Sequence, residues 1–124
     1  MTIKQAQDKL TALKPHAYSA AEVVDWLSKI EGRVYAEIIQ THENPDEITF
    51  AGYTTATADT TVLIAPAPYD ELYLYYLMTQ VDLHNLEYDK YNNSAALFNA
   101  AYDAFARFWN REVMPVQRVT HFQI

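Results

Sequence analysis

The sequence predicts a mainly α-helical domain: a small bundle of about four helices, with a β-hairpin inserted between the second and third and an extended C-terminal tail. Three observations carry this. Residues 66–111 concentrate the large apolar side chains at helical spacing. Two capping boxes open helical patterns nearer the N-terminus. The threonine-rich run that follows Asp46 has the composition of strands.

The first helix opens at Thr2 and Gln5, whose side chains can satisfy each other's backbone donors. Ile3, Ala6, Leu10 and Leu13 then recur on one face up to a stop at Pro15. Ser19 and Glu22 form the second box. The helix they open carries Val23, Leu27, Ile30, Val34 and Ile38 on one face, flanked by Trp26 and Ile39. Gly32 lies inside it at a cost of about 1 kcal/mol against alanine, which points to a close helix contact or a kink, the contact being favoured. After the turn-like ENPDE, a hairpin insert is expected over about 47–65, with strands Ile48–Thr55 and Thr60–Ala65 joined by a loop over Ala56–Asp59. A two-stranded hairpin is marginal unless it packs on something, either its own helices or a neighbouring subunit.

Pro68 suits the first turn of a third helix, where its missing N–H has no intrahelical partner, and Asp70 and Glu71 suit the positive end of the helix dipole. From Leu72 to Leu83 this helix is apolar on most of its circumference, so it should be the central one. The fourth helix is expected to start at the capping residues Asn92, Asn93 and Ser94. It carries Phe98, Ala101, Phe105 and Phe108 in steps of three and four, beside a ridge of Ala95, Tyr102, Ala106 and Trp109. The extended tail is 115–124, with apolar Val116, Val119, Phe122 and Ile124.

At 124 residues, 50% of them hydrophobic and with only 2 glycines, the chain reads as one domain over 1–124 with a real core. Its net charge of −7 opposes gripping nucleic acid or an anionic membrane through the overall field. The absence of cysteine excludes disulfides, thiolate metal sites and cysteine nucleophiles. MTIKQAQDKL lacks the apolar core of a secretory signal, which makes synthesis in the cytoplasm the expectation. The apolar run of the third helix is broken before the roughly 20 residues a membrane span requires.

No enzyme is expected, and no cofactor or metal. His16, His42, His84 and His121 stand in no metal-ligand spacing, and no glycine-rich phosphate loop or G-x-S-x-G serine is present. His84 has Asp82, Glu87 and Asp89 nearby, which reads as a solvated polar stripe allowing a weak His84–Glu87 pair. Asp82 and Glu87 would need a pocket that splits their pKa values before they could act as an acid–base pair. His42 suits a helix C-terminus through the dipole alone.

Ten tyrosines form the compositional oddity. Rings that are apolar at one end and wet at the other suit interfaces, and they equally suit the rim of a small core. As partner-facing residues we take Tyr53, Tyr73, Tyr75 and Tyr76, with Val116, Val119, Phe122 and Ile124 of the tail.

Three segments, LTALKPHAYSAAEVVDWLSKIEGRVYAEII, APAPYDELYLYYLMTQVDL and EYDKYNNSAALFNAAYDAFARFWNR, cover most of the chain. In them the sequence resembles the head-tail connector (head completion, or adaptor) proteins of tailed phages and prophages of Gram-positive bacteria. None of the segments is a catalytic signature. The resemblance implies a structural virion protein made in the host cytoplasm. It would sit below the portal protein as a homo-oligomeric ring, dodecameric as one candidate size, through which DNA passes without specific binding and to which the tail or a stopper protein attaches. Members of the family often carry a glycine near position 86 or 87, where this chain has Leu86 and Glu87, so the break between the last two helices departs from the pattern. An acidic channel wall would repel phosphates and let DNA slide. The alternatives are another tail-completion or stopper protein, or a small cytoplasmic regulator that binds a host protein through the tyrosine-rich surface.

Overall fold

The computed structural model describes residues 1–114; the predicted tail, 115–124, lies outside the described residues. Four α-helices follow one another: α1 (Ile3–Leu13), α2 (Ala20–Val34), α3 (Glu71–His84) and α4 (Tyr88–Glu112). Both capping boxes form. Thr2 accepts from the Gln5 N–H at 3.1 Å while the Gln5 side chain accepts from the Thr2 N–H at 2.9 Å, and Ser19 and Glu22 do the same at 3.2 and 3.1 Å.

Helix α3 is central: it packs most extensively on α4 and also touches α1 and α2. Its Leu72, Tyr73, Leu77 and Val81 are buried against Ile3, Ala6 and Leu10 of α1, Leu27, Ile30 and Val34 of α2, and Phe98 and Phe105 of α4 in one core. The all-round apolar pattern thus reflects burial inside a single chain.

The expected hairpin does not form. Among the described residues there is no strand, only a single antiparallel bridge between Thr2 and Val62. The donors that would build its ladder go elsewhere. The Tyr53 N–H donates to the Ser28 hydroxyl (3.0 Å), the Ile64 N–H to the Glu31 carboxylate (2.9 Å), the Ala65 N–H to the Tyr73 hydroxyl (2.8 Å) and the Leu63 N–H to the Met1 carbonyl (2.9 Å). The segment is an irregular strap laid across α2 and α3, because fixed side-chain acceptors on those helices outcompete a hairpin that is marginal alone.

Other boundaries also shift. Helix α2 runs on through a π-helical turn, Tyr35–Ile39, and Gly32 faces the Phe50 ring of the strap (3.6 Å from where a Cβ would sit) and not a second helix. Pro68 lies in the turn ahead of α3, and Asp70 at the helix start accepts from the Met1 amine at 3.1 Å. Helix α4 begins at Tyr88, four residues before Asn92. Helix α3 closes in a Schellman turn: the Leu86 N–H reaches the Leu83 carbonyl (3.1 Å), the Glu87 N–H reaches the Asp82 carbonyl (2.9 Å), and Leu86 takes the left-handed conformation at φ +59°. The chain therefore re-enters a helix at once, and Asn92–Ser94 become interior positions.

Candidate partner interface

The buried face of α2 carries one charged residue. Glu31 stands between Leu27 and Val34 on the apolar stripe and is 0% exposed. Its carboxylate accepts from the Tyr73 hydroxyl of α3 at 2.5 Å and, from the strap, the Tyr53 hydroxyl at 2.8 Å and the Ile64 N–H at 2.9 Å. Burial raises the carboxyl above its ordinary range, although the three donors pull it down, Tyr73 most. Burial followed by the adjacent charge pushes both tyrosine hydroxyls up as well. The node fastens strap, α2 and α3 together.

A second buried carboxylate does the same at the other end of α3. Asp82 is 1% exposed and accepts from Lys14 Nζ, just past α1, at 2.5 Å and from the Ser94 hydroxyl of α4 at 2.6 Å. Ser94 is thus a buried clamp and not a cap. Glu87 pairs with Lys90 (2.6 Å) and Asp82 with Lys14, so the two carboxylates, which line one cleft, face different cations. His84 lies tilted against Trp26 (ring centroids 5.2 Å) and edge-on to Tyr18 (6.0 Å) and takes no part in a pair with Glu87. His42 is buried between the Ile38 carbonyl and the Asn110 side-chain oxygen, each 2.6 Å from a ring nitrogen. No metal-holding group of His, Asp and Glu occurs among the described residues.

The tyrosines proposed to face a partner divide. Tyr73 is entirely inside the chain and Tyr53 is held inward by Glu31, so neither hydroxyl is free for a partner. Tyr75 keeps its ring partly exposed, with its hydroxyl donating to Glu71 at 3.2 Å. Tyr76 is half-buried edge-on to Phe98 (5.4 Å), beside Tyr102, over whose ring the Arg33 guanidinium lies at 4.5 Å. Val116, Val119, Phe122 and Ile124 lie outside the described residues.

Another surface emerges at the pole where α1 ends and α3 turns into α4. Two adjoining clefts there, each of about 450 Å³, share Glu87 and Lys90; Leu13, Pro15, Met78 and Asn85 line one, and Leu86 and Tyr88 the other. Leu13 is 64% exposed, Leu86 68% and Tyr88 60%, an apolar rim around paired charges. Leu86 stands out among them. Its left-handed backbone costs a branched residue about 1–2 kcal/mol, and at 68% exposure its side chain gains little burial to offset that. Sequence reasoning passed over this pole; its one signal was a leucine where a helix–helix turn favours glycine.

No helix among the described residues is long and apolar enough to cross a membrane. No family model, curated protein or solved structure matches the chain.

Proposed function

We propose that the chain is a subunit of a head-tail connector: a structural protein that rings the channel below the portal of a tailed phage, passes DNA without gripping it, and receives the tail or a stopper protein. The observation that carries this reading is the strained, exposed Leu86 on the apolar rim with Leu13 and Tyr88. Backbone strain persists where surrounding function maintains it, and a side chain that is unburied in the monomer finds its return in a partner. A ring subunit needs two different faces that fit each other, and this pole serves as one of them. The three segments that resemble the connector family make up most of the helical bundle, from the end of α1 through α4, and leave out the strap. The net charge of −7 suits a channel wall that repels phosphate.

Leu86→Asn tests the assignment, because asparagine tolerates the left-handed backbone and removes the apolar side chain. The variant should fold and melt like the parent yet lose attachment to portal-bearing capsids by at least tenfold. Unchanged attachment would take the pole out of the assembly.

A further inference from the structure

We propose that the outer edge of the strap at Val62 is a strand-addition site that accepts residues 115–124 of a second copy of this chain. The inference rests on the self-assembly contained in the reading above. It starts from the lone bridge. Thr2 and Val62 face each other as a non-hydrogen-bonded antiparallel pair, flanked by Ile3 N–H to Thr61 carbonyl (3.1 Å) and Leu63 N–H to Met1 carbonyl (2.9 Å). In such a pair each residue's own N–H and C=O point outward, away from the other strand. Among the described residues nothing bonds the N–H or C=O of Val62. The alternation agrees: Leu63 is 2% exposed, in the core, and Val62 is 68% exposed.

The open stretch is short, because Thr60 lies in the turn closed by the Thr61 N–H on the Ala58 carbonyl (3.0 Å) and the Ile64 N–H is taken by Glu31. That leaves Val62 as the point of addition, without a charge or proline to guard it. Thr60, Thr61, Val62, Leu63 and Ile64 include no charge and no proline, and all but Leu63 are β-branched. A single bridge is an incomplete β element, and an extended peptide added at the open edge supplies the missing ladder. The chain's own composition selects the occupant. Residues 43–65 carry Glu43, Asp46, Glu47 and Asp59 and no lysine or arginine, whereas 115–124 carry Arg118 and His121 and no acid. Val116, Val119, Thr120, Phe122 and Ile124 give that segment strand chemistry, and the rest of the sequence outside the strap is largely committed to helices. Ten residues beyond Met114, whose carbonyl accepts from the Glu43 N–H at 2.8 Å, reach about 33 Å when extended, enough to bridge to a neighbour.

The chain has no cysteine, so introduced thiols report cleanly. Full-length Val62→Cys protein is mixed in turn with full-length Gln117→Cys, Arg118→Cys, Val119→Cys and Thr120→Cys, oxidised, and resolved without reductant. Strand pairing predicts mixed dimers whose yield alternates along the segment, at least fivefold higher at every second position. Val62→Pro, which removes an N–H that bonds nothing among the described residues, should leave the melting curve unchanged. Built into proteins with Thr60→Cys in place of Val62→Cys, it should cut mixed-dimer yield at least tenfold. Uniform yields, no mixed dimer from folded protein, or Val62–Val62 dimers alone would each overturn the proposal. Chains carrying both thiols that close only on themselves would do so too, by assigning the edge to the chain's own segment. Capsid attachment is scored separately, so strand addition can fail while the connector reading stands, and the reverse.

Discussion

Glu31 and Leu86 stand for two kinds of residue-scale cost, one repaid inside the chain and one not. Glu31 is a carboxylate in the core, tolerated because three donors converge on it. Glu31→Ala orphans the Tyr73 hydroxyl and the Ile64 N–H together and should cost about 3 kcal/mol or more in urea unfolding. Its folded-state pKa is raised above the ordinary 4.5, chiefly by burial, so the native state binds the extra proton. The stability it contributes is fully present below the unfolded value and is lost as pH rises through the folded one. Glu31→Gln should therefore flatten that part of the stability–pH curve, and a slope that survives the substitution would assign it to other groups. Leu86→Gly, in contrast, should raise stability by about 0.5–1 kcal/mol, the strain relieved less the freedom glycine has in the unfolded chain. A denaturation midpoint that falls instead would show that the leucine side chain is held in the monomer.

At the scale of elements, what was legible in the sequence was whatever local chemistry decides. The two capping boxes, the α1 and α2 faces and the centrality of α3 follow from spacing and cap residues alone. The strap did not, because strand propensity records that residues suit a pleated surface, while pairing depends on which acceptors lie in reach; here Ser28, Glu31 and Tyr73 intercept the ladder. The start of α4 was hidden for a related reason. Leu86 takes a glycine-like conformation, so the turn carried no glycine to mark it, and Asn92–Ser94 looked like the nearest cap. Glu31 had a readable signal, an acid in the middle of an apolar stripe, whereas the Lys14–Asp82–Ser94 clamp joins residues 68 and 12 positions apart and had none. That clamp carries its own prediction. Lys14→Met strands a buried carboxylate and should cost about 3 kcal/mol, and Lys14→Met with Asp82→Leu should recover most of it. If the double variant is no better than the single, the pair is not coupled.

At the scale of the whole molecule, a closed core coexists with exposed apolar side chains at one pole and on the strap. The polar nodes at Glu31 and Asp82 fasten the helices to one another inside, while the Leu13–Leu86–Tyr88 rim and Val62 stay exposed outside. Deleting 116–124 should accordingly shift the melting temperature little yet abolish assembly; an equal loss of stability would make that segment part of the core. The most direct test of the connector reading is to mix the purified protein with DNA-filled capsids that carry a portal but lack connectors, and to count bound copies by co-sedimentation alongside recovery of tail joining. Saturable binding at a fixed number of copies per capsid, with tail joining restored, is the predicted result. Absence of binding by well-folded protein would contradict it.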